Sequence, residues 1–193
     1  MVKVITQKRH RRMIKEDIKI EGLVVIETKR FDDSRGYFYE SYNLKKYQDL
    51  LGASFNFVQD NISVSAKNVL RGLHFQNPPH AQGKLVSVVK GSVLDVAVDI
   101  RKDSRTYGKY QSIVLSAENG LQFWIPPGFA HGFLALEDDT IFSYKCTNYY
   151  HPESEESLIW NDTDIAIDWK IKNPIISPKD ELSGFFNTFV SKF

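Results

Sequence analysis

The sequence has one cysteine, Cys146, among 193 residues. A single thiol cannot form an intramolecular disulfide, and without a Cys-x-x-Cys pair the sequence predicts a protein of a reducing compartment, the cytoplasm. No apolar run approaches the roughly 18–20 residues of a membrane span, and no apolar stretch follows the N-terminal basic residues, so no secretory signal is expected. The 25 basic residues nearly balance the 24 acidic ones, so the overall charge does not indicate nucleic-acid or membrane binding.

Several common catalytic motifs are also missing. There is no Gly-x-Ser-x-Gly, and the surroundings of Cys146 do not indicate an activated thiol. No Gly-x-Gly-x-x-Gly follows a predicted strand, and there is no phosphate-binding loop. A metal site in a small β-barrel usually needs two close histidines and a third ligand. The residue two positions after His74 is Gln76, while His80 follows a Pro-Pro turn and His151 lies in a polar context. Neither a cofactor nor a catalytic metal is therefore expected.

Short strands separated by turn residues dominate the chain from residue 18 onward. Residues 93–100 alternate strongly as V-L-D-V-A-V-D-I, which is typical of a strand. Further strands are predicted at residues 23–26, 36–42, 55–63, 71–76, 84–89, 111–115, 122–125, 132–137 and 140–148. Many short strands with little helix favour a closed barrel or jelly roll, which limits exposed sheet edges. The sequence thus predicts an all-β domain over residues 18–193, preceded by a basic tail or subunit-contact arm over residues 1–17.

Two short helices are predicted. Asn43 is a suitable N-cap for a helix over residues 44–51, Leu44, Tyr47 and Leu51 fall on one face, and Gly52 is placed as the C-terminal stop. A second short helix is predicted over residues 179–190, after the helix-breaking Pro174 and Pro178.

Polar residues interrupt several of the predicted strands. Strict alternation places Arg71, Leu73 and Phe75 on one face of a strand, with Gly72 and His74 on the other. A single histidine in a strand is more often structural than functional. Other strands add polar or aromatic residues, namely Phe38, Glu40, Gln59, Asn61, Lys84, His131, Tyr144 and Lys145. A barrel with these groups on its inner face has a polar, partly cationic mouth, and this set suits proton transfer on a phosphate-bearing substrate.

The order and content of these segments resemble the dTDP-4-dehydrorhamnose 3,5-epimerase family from about residue 20 to residue 181. The resemblance is carried by FDDSRGYFYE (31–40), FVQDN (57–61), NVLRGLHFQ (68–76), QGKLV (82–86), DVAVDIR (95–101), IPPGFAHGF (125–133), YKCTNYY (144–150) and WND (160–162). So many matched blocks in the family's order make a chance similarity unconvincing.

The resemblance implies a cupin-like jelly-roll barrel that forms a homodimer, with N-terminal strands contributing to the partner's sheet and site. It implies epimerisation of a dTDP-linked 4-keto-6-deoxyhexose at C3 and C5 without metal. By resemblance, His74 is the general base, Asp180 orients it, Tyr144 protonates the opposite face and Lys84 stabilises the enolate oxygen. The substrate-binding residues implied in the same way are Arg35, Phe38, Glu40, Gln59, Asn61, Arg71, His131, Glu155 and Lys179.

The sequence departs from the family pattern at a few places. Ser104-Arg105-Thr106 replaces a frequent Ser-Pro-Thr, Trp169-Lys170 replaces Trp-Pro, and the stretch before Lys179 is about one residue short. A single-centre epimerase or a 3,4-ketoisomerase shares the same enolisation chemistry, and the intact Tyr144 segment favours double epimerisation over both. A non-catalytic nucleotide-sugar-binding cupin is expected to lack His74 or Tyr144, and both are present. The preferred nucleotide and the downstream pathway stay open.

Overall fold

The computed structural model describes the backbone of residues 14–17 and the complete residues 20–52 and 55–193. Most of the predicted basic tail or arm lies outside these ranges, but residues 14–17 form the first strand. In chain order the strands are β1 (Ile14–Asp17), β2 (Val24–Glu27), β3 (Arg30–Asp33), β4 (Gly36–Tyr39), β5 (Gln59–Ser65), β6 (Leu70–Gln76), β7 (Lys84–Lys90), β8 (Ser92–Asp99), β9 (Tyr110–Ser116), β10 (Leu121–Ile125), β11 (Phe129–Ala135), β12 (Thr140–Cys146) and β13 (Glu155–Ser157). The helices are α1 (Leu44–Leu51) and α2 (Pro178–Glu181).

The strands form two packed antiparallel sheets, and this arrangement confirms the predicted all-β jelly roll. One sheet has the order β1-β2-β10-β7-β12-β5 and the other β13-β6-β11-β8-β9, while β3 and β4 form a separate hairpin. Sequence neighbours such as β7 and β8 lie in different sheets, as expected when the chain crosses between two layers. Among the described residues no helix is long and apolar enough to cross a membrane.

Apolar residues fill three layers. The inner faces of the two sheets enclose a core that includes Val25, Val86 and Phe123 from one sheet and Val93 and Phe133 from the other. The outer face of the five-stranded sheet is covered by the C-terminal segment, with Leu158, Ile165 and Trp169 packed on it. The outer face of the six-stranded sheet packs against α1 and the aromatic residues after it. β8 is buried on both faces because it lies between two of these layers.

The helix predicted over residues 44–51 is confirmed. The Asn43 side chain accepts a hydrogen bond from the Lys46 N–H, and Gly52 ends the helix with φ +64°. Tyr47 is buried on the sheet, and its hydroxyl donates to Gln122 Oε1 over 2.5 Å.

The prediction of a helix over residues 179–190 is wrong. Only α2 and a separate 3-10 turn, Phe186–Thr188, are helical there. The chain between them instead forms a bridge in which Ile159 N–H donates to Gly184 O over 2.8 Å. The buried carboxylate of Asp162 also accepts from the Phe186 N–H over 2.8 Å. These contacts with distant parts of the chain outweigh local helix propensity.

Some strand limits also differ from the predictions. The predicted strand 55–63 begins only at Gln59 and extends to Ser65, because Phe55 and Phe57 pack against Trp124 on the outer face of the sheet. The predicted strand 36–42 ends at Tyr39. The short strands β3 and β13 were not predicted.

The predicted alternation of side chains along β6 is wrong. His131 pairs with His74 and Phe133 pairs with Arg71, so one residue of β11 faces two residues of β6. This β-bulge shifts the alternation. Arg71 and His74 consequently face the same cavity, whereas Leu73 and Phe75 lie in the core on the other side of the sheet.

Gly72, at this bulge, should not tolerate a larger residue. Its φ is +115°, and a Cβ would lie 2.6 Å from the His131 carbonyl oxygen and 2.7 Å from the Gly132 Cα. We expect Gly72→Ala to lower the free energy of unfolding by roughly 2–4 kcal/mol, because backbone strain and a backbone clash add. Urea unfolding at fixed protein concentration measures this. Gly36→Ala is the control, since Gly36 has φ +131° but no atom within 4 Å of its Cβ position; equal losses in the two variants would contradict the role of the clash.

Candidate functional site

Two adjoining cavities lie on the inner face of the barrel. The main cavity has a volume of about 460 Å³ and is lined by Arg71, His74, Lys84, His131, Tyr144 and Asp180, with Phe133, Phe142 and Ile176 among its apolar walls. The side pocket, of about 110 Å³, is lined by Gln59, Asn61, Gln76, Gln82, Tyr150 and Glu155. His74, Lys84 and Tyr144 line both. The structure therefore brings the four residues expected to be catalytic to one place, where two cavities meet.

His74 forms a dyad with Asp180. Its Nε2 lies 2.6 Å from Asp180 Oδ1, and the aspartate side chain is only 4% exposed. α2 positions this carboxylate, because the Ser177 side chain caps the helix by accepting from the Asp180 N–H over 3.1 Å. Burial opposes ionisation of Asp180, but hydrogen bonds from His74 and Ser177 outweigh it, and the pKa of Asp180 is lowered.

An ionised Asp180 fixes which nitrogen of His74 carries the proton. A carboxylate only accepts hydrogen bonds, so Nε2 is the protonated nitrogen and Nδ1 is the basic one. The imidazole ring of His74 makes no further hydrogen bond with the described residues, and it lines both cavities. Nδ1 is thus available to take a proton from a bound molecule, and an ionised Asp180 is placed where it can stabilise an imidazolium.

Lys84 supplies a cation with no anionic partner among the described residues. It begins β7, its side chain is largely buried, and it lines both cavities. Burial lowers the pKa of Lys84, and the more distant Cys146, Asp95 and Glu155 offset this only in part. A desolvated ammonium group facing a cavity is well suited to hold a negative charge that develops on a ligand oxygen.

We therefore expect Lys84→Met to make the protein more stable and less active. Methionine removes a largely buried charge without an anionic partner among the described residues, so Tm should rise by at least about 2 °C, while the catalytic rate should fall about 10²- to 10³-fold. The gain should shrink as the pH is raised toward the ordinary lysine pKa. The pKa of Lys84 is lowered in the folded state, so the folded protein loses this proton at a lower pH than the unfolded chain does. As the pH rises toward the ordinary lysine value, the cost of burying the charged lysine in the wild-type protein therefore disappears.

Lys90→Met provides the control for this prediction. Lys90 ends the same strand, and its exposed side chain pairs with Asp139 over 3.5 Å. Such a surface pair contributes little to stability, so this variant should leave Tm and activity near wild type. A Lys84→Met protein that is less stable than wild type at neutral pH would contradict the unpaired-cation account.

Tyr144 lies on β12, next to His74 and Lys84 at the junction of the cavities. Burial is the main reason that the pKa of Tyr144 is raised, and the nearby Cys146 and Glu155 add to the effect while Arg71 opposes it. The phenol consequently stays protonated across the physiological pH range and can act as a proton donor.

His131 and Arg71 complete the polar wall of the main cavity. His131 is buried, and its Nε2 lies 3.0 Å from Asp95 Oδ2. The Arg71 guanidinium is held by Ser65 Oγ at 3.2 Å and the Val64 carbonyl at 3.3 Å. Both Arg71 contacts are with neutral groups, so its positive charge is not neutralised by these partners and can pair with an anionic ligand.

The side pocket is lined mainly by amide groups, and its Glu155 pairs with Lys179, which lines the main cavity. Gln59 Nε2 donates to Asn61 Oδ1 over 3.0 Å, and Gln59 Oε1 accepts from the Tyr150 N–H over 2.9 Å. Glu155 Oε2 accepts from the Tyr150 hydroxyl over 2.7 Å and from Lys179 Nζ over 2.5 Å. These groups offer hydrogen bonds of the kind that read a heterocyclic base or a sugar.

Three residues expected to bind substrate do not line either cavity of their own chain. Arg35 pairs with Asp33, Glu40 pairs with Lys46 over 2.6 Å, and Phe38 is 69% exposed on the β3–β4 hairpin. The structure therefore separates Arg35, Phe38 and Glu40 from the residues around His74.

Other cavity residues were not predicted. Ser63 Oγ is buried without a hydrogen-bond partner among the described residues and belongs to the main cavity. Ser63 follows Gln59 and Asn61 at a spacing of two, and this alternation could have placed all three on the same face of β5. In the sequence, Phe133, Phe142 and Ile176 resemble ordinary core residues, and no role was predicted for Gln76 or Tyr150.

A possible group of metal ligands lies outside both cavities. The side chains of His80, His151 and Glu153 lie together, and one ligand atom from each lies within 4.8 Å of the other two. None of the three lines the main cavity or the side pocket.

Comparisons with known proteins identify relatives of this chain. Residues 17–187 match the family model described as dTDP-4-dehydrorhamnose 3,5-epimerase. The protein of that name from Escherichia coli K12 is 55% identical over 164 residues, which cover 84% of this chain and 89% of the relative. The crystal structure of the dTDP-6-deoxy-D-glucose-3,5-epimerase RmlC from Legionella pneumophila, in complex with dTDP-4-keto-L-rhamnose, has a TM-score of 0.89 and 50% identity, covering 93% of this chain and 95% of that chain.

A structure with a different reaction in its name is less similar. ChmJ, a 3′-monoepimerase from Streptomyces bikiniensis in complex with dTDP-quinovose, has a TM-score of 0.84 and 32% identity, covering 89% of this chain and 87% of that chain.

Proposed function

Because the chain belongs to the dTDP-4-dehydrorhamnose 3,5-epimerase family, we propose that His74, Tyr144 and Lys84 carry out the reaction of that family. The reaction converts dTDP-4-dehydro-6-deoxy-D-glucose into dTDP-4-dehydro-L-rhamnose by inverting C3 and C5. Both carbons flank the C4 ketone, so one set of groups around that ketone can serve both inversions in turn.

The chemistry follows from the acidity of a C–H bond next to a carbonyl. Removing that proton is feasible only if the negative charge moves onto the carbonyl oxygen and is stabilised there. His74 Nδ1 takes the proton, and Lys84 stabilises the enolate oxygen at C4. Tyr144 then returns a proton to the opposite face of the carbon, which inverts it. Before the second centre reacts, His74 releases the abstracted proton to solvent and Tyr144 is reprotonated from solvent.

The observation that carries this proposal is the meeting of three different functions at the junction of the cavities. The dyad of His74 and Asp180, at 2.6 Å, supplies a base. Lys84 is a largely buried cation whose natural counter-charge is the enolate, and Tyr144 is a phenol that stays protonated. A protein that only binds nucleotide sugars has no need for a largely buried ammonium, without an anionic partner among the described residues, beside an oriented base.

To test this, the purified protein is treated with EDTA and incubated with dTDP-4-dehydro-6-deoxy-D-glucose, and the product is analysed by proton NMR. We expect the coupling constants of a product inverted at both C3 and C5. A product inverted at one carbon only would identify a single-centre epimerase, and a substrate with its carbonyl moved to C3 would identify a ketoisomerase. The identity of 55% with a named 3,5-epimerase, against 32% with a 3′-monoepimerase, favours double inversion.

We further propose a homodimer, and the pattern of β5 supports it. Gln59, Asn61 and Ser63 face the cavities, while Ile62 and Val64 face outward and are 70% and 58% exposed. A strand that is polar inside and apolar outside is the reverse of an ordinary surface strand. Its apolar face is best covered by a second copy of the chain.

In such a dimer the β3–β4 hairpin would complete the partner's site. Arg35 and Phe38 are exposed at the hairpin and contact no cavity of their own chain. A guanidinium and an aromatic ring suit a diphosphate and a stacked base.

Purified heterodimers test this sharing of sites. One subunit carries His74→Ala and the other Arg35→Ala with Phe38→Ala, and each homodimer is expected to be nearly inactive. If the hairpin serves the partner, the heterodimer keeps one fully intact site and should show about half of the wild-type activity. If each hairpin serves its own chain, both sites are damaged and the heterodimer should be inactive. A heterodimer of wild type with His74→Ala, purified in the same way, calibrates the value for one intact site.

A further inference from the structure

Two histidines and a glutamate meet just beyond the end of β6. The rings of His80 and His151 stack with their centroids 3.6 Å apart and their planes at 15°. Glu153 Oε1 lies 3.0 Å from His151 Nδ1 and 3.9 Å from His80 Nε2. Both histidine side chains are about one-third exposed, so solvent reaches the group. The proposed reaction uses none of these three side chains.

A buried glutamine holds the two histidines side by side. Gln76 Nε2 donates to the His80 carbonyl over 2.6 Å, and Gln76 Oε1 accepts from the His151 N–H over 2.7 Å. One side chain thereby ties together two segments that are distant in sequence. This link fixes the backbones of His80 and His151 relative to each other, so that their side chains start from adjacent positions.

We propose that His80, His151 and Glu153 bind one divalent transition-metal ion, with Zn²⁺ as the reference ion and water completing its coordination. Imidazole nitrogen and carboxylate oxygen are ordinary ligands for Zn²⁺, Co²⁺, Ni²⁺ and Cu²⁺. Two neutral imidazoles and one carboxylate leave one charge of the ion uncompensated, which the solvent-exposed position tolerates. Because this ion is separate from the cavities, it takes no part in the epimerisation.

Binding requires a modest rearrangement of the side chains. The ligand atoms lie within 4.8 Å of one another, whereas metal–ligand bonds of about 2.0–2.1 Å place tetrahedral ligand atoms about 3.3 Å apart. Nearly parallel rings also cannot both point their lone pairs at one ion. One imidazole must rotate out of the stack, and the partial exposure of both rings leaves room for that.

A bound ion would cross-link the loop that follows β6 to the 3-10 turn Pro152–Ser154. Glu155, two residues beyond Glu153, lies in the side pocket and contacts Tyr150 and Lys179. The ion is therefore expected to stabilise the rim of the side pocket and to raise the Tm of the protein, since a ligand bound only by the folded state stabilises it.

Isothermal titration of Zn²⁺ into metal-stripped, tag-free full-length protein tests the proposal, with visible absorption of bound Co²⁺ as a second readout. We expect one ion per chain and a Tm increase of about 5–10 °C at free Zn²⁺ a hundredfold above Kd. His80→Ala and His151→Ala should each weaken binding at least about tenfold. Glu153→Gln, at an exposed position, should also weaken it and guards against misfolding of the histidine variants.

His74→Ala serves as the matched control, because it removes a histidine from the cavity and should leave Zn²⁺ affinity unchanged. Loss of binding in this variant, with binding kept in His80→Ala, would place the ion at the catalytic dyad and overturn the proposal. So would unchanged affinity in the His80→Ala/His151→Ala double variant, or the absence of any binding signal from either Zn²⁺ or Co²⁺.

Discussion

Replacing His74 with asparagine should abolish both the epimerisation and the exchange of substrate hydrogens with solvent. Removing a general base typically lowers the rate about 10²- to 10⁴-fold, and His74 should serve both carbons. Asparagine removes the imidazole and cannot accept the substrate proton, and its shorter side chain does not reach Asp180 Oδ1, which lies 2.6 Å from His74 Nε2. Deuterium exchange at C3 and C5, measured separately by proton NMR, should therefore fall together.

Two measurements distinguish this outcome from a general failure of the variant. The His74→Asn protein should bind dTDP as wild type does, and its thermal unfolding should stay cooperative. If exchange persists at one carbon but is lost at the other, a second base serves the first carbon, and the assignment of His74 to both carbons is wrong.

Asp180→Asn should give a smaller loss of rate and a shifted pH profile, since it leaves the base in place but removes the charge that orients it.

Replacing Tyr144 with phenylalanine should separate exchange from inversion. The variant keeps His74 and Lys84, so the proton next to the ketone can still be removed and replaced from the same face. Without the phenol no protein group delivers a proton to the opposite face, and inversion should fall about 10²- to 10⁴-fold. Deuterium should thus enter the recovered substrate, with its configuration retained, much faster than inverted product forms.

Tyr107→Phe is the matched control, because Tyr107 packs against Phe186 in the loop after β8 and lines neither cavity. It should leave both rates near wild type. If Tyr144→Phe loses exchange and inversion to the same degree, the phenol acts in proton removal or in substrate binding, and its assignment to the opposite face is contradicted.

The sequence predicted the fold well where local signals were strong. Asn43 and Gly52 defined α1, and the alternation of β8 marked a central strand, because caps and period-two patterns are local properties. The helix expected over residues 179–190 failed because its alternative is held by distant groups, such as the Asp162 carboxylate on the Phe186 N–H. No local pattern reports a partner that lies more than 20 residues away in sequence.

The site was predicted in part by pattern and in larger part by resemblance. Pattern pointed to His74 and Tyr144 as polar interruptions of strands, but it could not pair His74 with Asp180, which lies 106 positions later. The bulge at Gly72 was also invisible to strict alternation, so Arg71 was expected on the wrong face. The hairpin residues Arg35 and Phe38 remain a prediction, since only a dimer can bring them to a cavity.

The most direct test of the account is proton NMR of the wild-type protein with dTDP-4-dehydro-6-deoxy-D-glucose in D₂O after EDTA treatment. The account predicts deuterium at both C3 and C5 of an inverted product, formed at the same rate with and without EDTA. Deuterium at neither carbon, from a protein that is folded and binds dTDP, would contradict the assignment of His74, Lys84 and Tyr144 to enolisation. Loss of activity on EDTA treatment of the His80→Ala/His151→Ala variant, which lacks the proposed ion site, would contradict the assignment of the enolate charge to Lys84.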